Sequence, residues 1–212
     1  MPAREDLFGR PLIEHEQPPP YQSYEIHPRA FTARQCRRIV GAAPDHEVGD
    51  AALEGEHGES VHDSAIRRSR TGWLAPDDET WWIYERLAAV ARRANRRYGF
   101  DLTGFTEDLQ FTVYDSPGAF YSWHQDGLDS GVAGRKLSIV VQLSDPGDYV
   151  GAELEFFQDV DAGDERRAWF ADVSTPLGTA VVFPSFEYHR VRPLRSGIRR
   201  SLVAWVGGPP FR

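Results

Sequence analysis

The 212-residue sequence predicts a mainly β fold, a closed barrel or jelly roll, with helices of its first half laid on one face of the sheet. Two observations carry this. From residue 108 onward the chain reads as eight short apolar segments: LQFTVYD, FYSWHQD, RKLSIVVQL, AELEFF, RAWFADV, GTAVVFP, EYHRVRP and RRSLVAWV. They are separated by stretches rich in Gly, Pro, Asp and Ser, namely DSPG, LSDPGDYVG, DAGDE and STPLG, the residues that turns require. Alternation is clearest in LQFTVYD. There Gln110, Thr112 and Tyr114 fall on one face and Leu109, Phe111 and Val113 on the other, the period of a half-buried strand.

Taken in order, EHEQPPPYQS reads as an extended arm and YEIHP as a strand. Thr32 then stands where it can cap a short helix over ARQCRRIV. No Lys or Arg occurs between Arg38 and Arg67, while Asp45, Glu47, Asp50, Glu54, Glu56, Glu59 and Asp63 accumulate. That run is expected to be a solvated loop, with a flap over a site as the alternative. SAIRRSRTGWL predicts one strand ending near Pro76. Asp77 or Asp78 can cap a longer helix through about Arg97, with Trp82, Leu87, Val90 and Ala94 among its apolar positions. No internal repeat or clean linker divides the chain. Residues 1–107 are expected to be an arm, helices and edge strands packing on a core formed by 108–212, together one enlarged domain.

Composition narrows the function classes. Hydrophobic residues at 41% and aromatics at 12% suit a globular protein, and no apolar run approaches the ~20 residues of a membrane span. The MPAREDLFGR start lacks the apolar core of a signal peptide, and the single cysteine, Cys36, excludes an intrachain disulfide. A cytoplasmic location is the expectation. A net charge of −8 argues against nucleic acid as a partner.

Chemistry concentrates in YSWHQDG. On a strand, side chains at i and i+2 share a face, so His124 and Asp126 can reach one point with one nitrogen and one oxygen donor. By the same period Tyr121 and Trp123 point to the opposite face and pack the strand. HxD alone is a common structural pattern, and a stable metal site wants a third ligand. Of the seven histidines, His15, His27, His46, His57 and His62 lie in the arm or early loops, and only His189 accompanies His124 in the β half. A His–Asp–His set leaves open positions on an octahedral ion, as in the facial triad of non-haem Fe(II) oxygenases. An inert, hydrogen-bonded strand histidine is the plainer role for His189 taken alone. Arg199, ten residues later, shares a strand face with Ser201, and a guanidinium beside a hydroxyl suits a carboxylate. A co-substrate that chelates iron at one end and ends in a carboxylate would span both.

These residues resemble the 2-oxoglutarate/Fe(II)-dependent dioxygenases, in their prolyl-4-hydroxylase-like branch. The likeness rests on QFTVYDSPGAFYSWHQD, RKLSIVVQLSDPGDYVGAEL and FPSFEYHRVRPLRSGIRRSLVAW, with SYEIHPRAFTARQCRRIV similar to the branch's opening strand and helix. It implies a double-stranded β-helix core (jelly roll, cupin-like), Fe(II) held by His124, Asp126 and His189, and the distal carboxylate of 2-oxoglutarate on Arg199. Tyr114, ten residues before His124, falls where the branch keeps a Tyr near the co-substrate, and Ser201 and Gln142 are further candidates for that pocket. Arg200 is the competing anchor, but the Gly-x-Arg register favours Arg199. Lys136, the only lysine, stands beside Arg135 at a strand start and is expected to be exposed. The branch's Gly-Gly-Glu-Leu is Gly151-Ala152-Glu153-Leu154 here, and Ala152 would resist a positive φ. The ending of the nucleic-acid demethylating branch is absent, and Asp126 is present where halogenating members carry a small residue.

The resemblance further implies hydroxylation of an unactivated C–H bond with O₂, releasing succinate and CO₂. The substrate would be an amino acid, a natural-product intermediate or a prolyl or peptidyl group. Arg68 and Arg70, with Trp73, lie where they could reach the barrel mouth and clamp a substrate carboxylate. Pairing of both arginines with acids of the neighbouring loop is the plainer role. A non-catalytic jelly-roll module that senses 2-oxoglutarate or metal, and a cupin-like metal isomerase without an oxoacid, are the competing functions.

Overall fold

The computed structural model of the chain describes residues 21–43, 49–50, 53–54, 60–61, 63–127, 131–158, 169–172 and 175–210. The expected N-terminal arm up to residue 20, most of the acidic run and the DAGDE turn lie outside the described residues.

In chain order the elements are β1 (Glu25–His27), α1 (Ala33–Ala42), β2 (Gly49–Asp50), β3 (Leu53–Glu54), β4 (Ser60–Val61), β5 (Arg67–Arg68) and β6 (Arg70–Leu74). Then come α2 (Trp81–Tyr98), β7 (Gly104–Phe105), β8 (Leu109–Tyr114), β9 (Phe120–His124), β10 (Arg135–Gln142) and β11 (Tyr149–Gly151). The chain closes with β12 (Leu154–Gln158), β13 (Trp169–Asp172), β14 (Ala180–Pro184), β15 (His189–Val191), β16 (Leu194–Gly197) and β17 (Arg199–Gly207). All eight strands read from the second half are present. The short β11–β16 ladder, whose segments are too brief and too polar to show periodicity, was not anticipated.

A major antiparallel sheet runs β1-β14-β10-β17-β8-β6-β2, with β7 also on β17, and a minor one runs β13-β12-β15-β9-β5. Their inner faces pack together through Val140, Val181 and Phe183 of the major sheet and Leu154, Phe156 and Val191 of the minor. Two facing antiparallel sheets with crossing connections make a jelly roll. The outer face of the major sheet carries Leu109, Phe111, Val113, Leu137, Ile139 and Val141, and both helices cover it. Gln110, Thr112 and Tyr114 face inward, the alternation expected of LQFTVYD.

The helices follow from local chemistry. Thr32 caps α1 in a capping box, its Oγ1 accepting from the Gln35 N–H while the Gln35 amide oxygen accepts from the Thr32 N–H. In α2 the buried Ile83, Leu87, Val90, Ala91 and Ala94 recur at three- and four-residue spacing, each large one worth about 1.5–3 kcal/mol on burial. Gly99 ends it in the left-handed conformation, φ 68°. The start of α2 differs from the expected Asp77 or Asp78 cap. Thr80 is the cap residue, and Asp77 instead accepts from the N–H groups of Glu79 and Thr80, closing a turn just before the helix.

SAIRRSRTGWL is not one strand. It breaks at Ser69: β5 pairs β9 in the minor sheet, with Arg67 opposite Tyr121, and β6 pairs β8 in the major sheet. The segment therefore turns the corner between sheets, a place where a strand can bend without losing its partners. Lys136 corrects a second expectation. It is 2% exposed, its Nζ directed at the Ala133 carbonyl at 3.5 Å, because a register shift in the β10–β17 pairing at this point tucks it into the sheet end. Ala152 does take a positive φ, 53°, so the strained turn is kept without glycine, at a cost of about 1 kcal/mol.

Candidate metal centre

His124 ends β9, and His189 begins β15 directly opposite it in the ladder, so the two imidazoles lie side by side with centroids 4.1 Å apart. Asp126 follows the strand end and is drawn back over the pair by its N–H, which donates to the Ser185 carbonyl at 2.8 Å. Its Oδ1 stands 3.6 Å from His124 Nε2 and its Oδ2 3.7 Å from His189 Nε2. One donor atom from each residue lies within 4.8 Å of the others.

Both histidines are oriented by the backbone. Nδ1 of His124 meets the Ser122 carbonyl at 2.7 Å, and Nδ1 of His189 meets the Glu187 carbonyl at 2.9 Å. A carbonyl oxygen only accepts, so each Nδ1 carries a proton and each Nε2 is the ring nitrogen turned to the common point. Burial pushes the His124 pKa far below the usual imidazole range, and the neighbouring His189 lowers it further. Burial alone would raise Asp126, but His189, His124 and the Ser138 hydroxyl outweigh it and hold its carboxyl below the ordinary range. Two imidazole nitrogens and one carboxylate, desolvated and converging, are the donor set that a divalent first-row metal takes, any Nε2 proton being released as the metal binds. The residues fit Fe(II).

A serine pair fixes the carboxylate. Ser138 Oγ donates to Asp126 Oδ2 at 2.6 Å, which uses its only proton, so the Ser185 hydroxyl 3.0 Å away must donate to Ser138 in turn. Arg135 adds a bond from Nη1 to the Asp126 carbonyl while forking onto Glu107 and lying 3.9 Å from the Trp205 ring. Partners that orient a ligand typically change metal affinity about 10–100-fold when lost. Ser138→Ala is therefore expected to weaken Fe(II) or Co(II) binding by about that factor in anaerobic titration, with Ser138→Thr close to wild type. Unchanged affinity in the alanine variant would show the bond to be idle.

Deeper in the barrel, Arg199 is 3% exposed and opposes Tyr114, its guanidinium carbon 5.5 Å from the ring centroid. Ser201 is flanked in the sheet by Thr112 and Gln142. A cavity of about 180 Å³ opens onto Arg199, lined also by Gln142, Tyr149, Val150, Glu153 and Leu154. Glu153 faces Arg192 and Arg195, at 3.9 Å each, and among the described residues no carboxylate pairs with Arg199. A buried guanidinium without an anion, beside a cavity, fits a ligand that brings a carboxylate.

The profile of the 2OG-Fe(II) oxygenase superfamily matches residues 109–207. A PKHD-type hydroxylase of Synechococcus elongatus is 32% identical over 182 residues, covering 82% of this chain and 74% of the relative. The chain belongs to the 2OG-Fe(II) oxygenase superfamily. Its cofactors are accordingly Fe(II), 2-oxoglutarate and O₂, and its class is the dioxygenases. A second PKHD-type hydroxylase, from Synechococcus strain CC9902, is 37% identical over 86 residues, 41% of this chain but only 35% of that protein. Among solved structures, a Pseudomonas putida prolyl-4-hydroxylase superposes with TM-score 0.63 at 22% identity, covering 88% of this chain and 93% of the other. A Trichoplax adhaerens prolyl hydroxylase, in complex with a hypoxia inducible factor peptide, gives TM-score 0.70 at 16% identity over 87% and 83%. These two establish the shared fold.

Around this oxygenase centre the outer candidates separate. Arg70 reaches Asp115, Nε to Oδ2 2.9 Å, and is tied up there. Arg68 lies over the Phe120 ring at 5.2 Å. Trp73, 46% exposed, stands 6.3 Å from the ring of Trp205. Of the arginines in this segment, the one turned inward is Arg67, which the sequence alone did not single out. It is 8% exposed, with Nε donating to Ser69 Oγ and Nη2 to the Gln110 amide oxygen, and its guanidinium lies 4.5 Å from the Tyr121 ring centroid.

Tyr121 overturns a further expectation, for it stacks on His124 with ring centroids 3.5 Å apart. The ladder explains this: between two paired positions β15 advances two residues and β9 three, so a bulge flips the parity and returns Tyr121 to the face of His124. Trp123 does lie on the other side, against Phe157 and under Arg190. Of the remaining histidines, His27 sits on edge strand β1, while His15, His46, His57 and His62 lie outside the described residues. Among the described residues no helix is long and apolar enough to cross a membrane, which leaves β-barrels unaddressed.

Proposed function

We propose that the chain hydroxylates an unactivated C–H bond of an amino-acid or peptidyl substrate, with His124, Asp126 and His189 holding Fe(II) and Arg199 gripping the distal carboxylate of 2-oxoglutarate. The observation that carries this is a buried His–Asp–His point together with a buried arginine that, among the described residues, no carboxylate pairs with. When bound, iron and 2-oxoglutarate supply the oxidation: one O₂ oxygen enters succinate as CO₂ leaves, and the other enters the substrate as hydroxyl.

The protein's own residues position and exclude. Ser138 and Ser185 aim the carboxylate, and the carbonyls of Ser122 and Glu187 hold the imidazoles. Tyr114, Ser201 and Gln142 wall the co-substrate pocket, with burial keeping water from the carboxylate contact. Substrate meets the other side, where Arg67 keeps N–H donors beyond its bonds to Ser69 and Gln110 and where Trp73 and Trp205 form an aromatic wall. Donors beside aromatic rings suit a carboxylate or peptide carbonyl next to a small aliphatic unit. The peptide held by the Trichoplax enzyme supports a peptidyl substrate. Arg68 and Trp73 would border the entrance, and Arg70, held by Asp115, would shape it. Residues 1–107 and 108–212 act in this reading as one enlarged domain, supported by the pairing of β5 and β6 with strands of the second half. The lone Cys36 favours the cytoplasm.

The test begins anaerobically. Fe(II) and 2-oxoglutarate together should give a visible charge-transfer band. Admitting O₂ with a panel of amino acids and proline-containing peptides should then release succinate in step with hydroxylated product. A band with no succinate across the panel would favour the sensing module, and no band would refute the co-substrate assignment.

A further inference from the structure

Tyr149 falls within the RKLSIVVQLSDPGDYVGAEL stretch but the sequence assigns it no role there, yet it lines the Arg199 cavity. Its neighbours determine which way its hydroxyl proton points. Gln142 Nε2 contacts the Ser144 carbonyl at 3.2 Å and the Tyr149 hydroxyl at 2.7 Å. The Ser144 carbonyl can only accept, so this end of the Gln142 amide is the NH₂ and the Tyr149 oxygen is an acceptor. Turning the amide over would set two oxygens against each other. The phenol proton is therefore left over, and among the described residues it has no acceptor.

Backbone pairing brings Tyr149 to the cavity that Arg199 also lines. Tyr149 pairs with Gly197 across the β11–β16 ladder, two residues before Arg199. Gly197 has φ 81°, and a Cβ there would lie 2.1 Å from the Asp148 carbonyl oxygen and 2.6 Å from Tyr149 Cα. The glycine of Gly197-Ile198-Arg199 is thus what lets the Tyr149 strand approach the arginine's strand. Ser144 fixes the same junction, with its hydroxyl accepting from the Arg200 N–H at 2.8 Å and donating to the Ile198 carbonyl at 3.2 Å.

We propose that Tyr149 is a second anchor for the distal carboxylate of 2-oxoglutarate, donating its hydroxyl proton to the anion that Arg199 grips, with Gln142 as the residue that positions it. This rests on the co-substrate assignment above and adds to it a residue from a different strand.

The test compares two ligands on the Fe(II)-loaded protein without O₂: 2-oxoglutarate, and 2-oxovalerate, which has the same chain length and chelating end but no distal carboxylate. Tyr149→Phe is expected to weaken 2-oxoglutarate about 10-fold, the scale of one hydrogen bond to a charged group, and to leave 2-oxovalerate and Fe(II) binding unchanged. Equal losses for both ligands, or none for either, would overturn the proposal. If the wild-type protein itself shows no preference for 2-oxoglutarate over 2-oxovalerate, the co-substrate assignment falls instead. Should Tyr149→Phe fail to fold, Gln142→Leu removes the donor that orients the hydroxyl. A smaller loss confined to 2-oxoglutarate is expected there, and no loss would count against the role.

Discussion

Asp126→Ala is expected to remove measurable Fe(II) binding at micromolar protein and to reduce succinate release to background. Asp126 is the only anion at the triad; without it two neutral imidazoles face a dication in a desolvated site. Removing one partner of a buried charged contact costs about 3–5 kcal/mol, which is roughly 10²- to 10⁴-fold in affinity. Asp126→Glu keeps the charge but moves it outward by one methylene, away from Ser138, whose 2.6 Å bond sets the present position. It is expected to recover a minor part of the affinity. Asp126→Asn keeps the shape but offers a neutral oxygen, and should fall between alanine and wild type. Anaerobic metal titration with circular dichroism as the folding control decides the matter. Wild-type affinity in the alanine variant would mean that the three residues do not form the metal site.

How far the sequence reveals this site depends on whether geometry follows strand period. Where it does, the reading transfers directly: the inward face of LQFTVYD carries Gln110, Thr112 and Tyr114, and Arg199 and Ser201 share the inward face of β17. His189 could be selected because only two histidines stand in the β half. Where a ladder breaks, period misleads. One extra residue in β9 returned Tyr121 to His124, a shift that leaves no mark on a single strand's alternation. At Ser69 the chain changes sheets, so three arginines within four residues meet three environments: Arg67 inside, Arg68 over a ring and Arg70 on an acid. Their sequence neighbourhoods are nearly the same, and only the corner tells them apart. Tyr149 was hidden for a related reason. Its proposed role depends on a close approach that Gly197 permits across 48 residues of chain, and neither residue signals the other.

Arg199→Leu is expected to change function and stability in opposite directions, and that opposition distinguishes a binding arginine from a structural one. A guanidinium gripping a carboxylate contributes through charge-assisted, commonly bidentate hydrogen bonds worth about 1.5–3 kcal/mol each. The variant should therefore bind 2-oxoglutarate roughly 10²- to 10³-fold more weakly, with Fe(II) binding kept because no triad residue is touched. The free protein presents the other side of the balance. At 3% exposure, with no carboxylate paired with it among the described residues, the cation is desolvated and offset in part by the Tyr114 ring. Replacing buried charge with an apolar side chain of similar reach is commonly neutral or stabilising by about 1–4 kcal/mol. Thermal melting of ligand-free Arg199→Leu should accordingly be equal to wild type or higher. Adding 2-oxoglutarate with metal should raise the wild-type midpoint, by the equivalent of about 2.7 kcal/mol at a hundredfold excess over Kd, and leave the variant unmoved. Arg199→Lys keeps the charge without the fork and should lie between them in both measurements. A variant that melts well below wild type while still binding 2-oxoglutarate would reverse the assignment: the arginine would then be holding the barrel, and the carboxylate would have to be sought elsewhere.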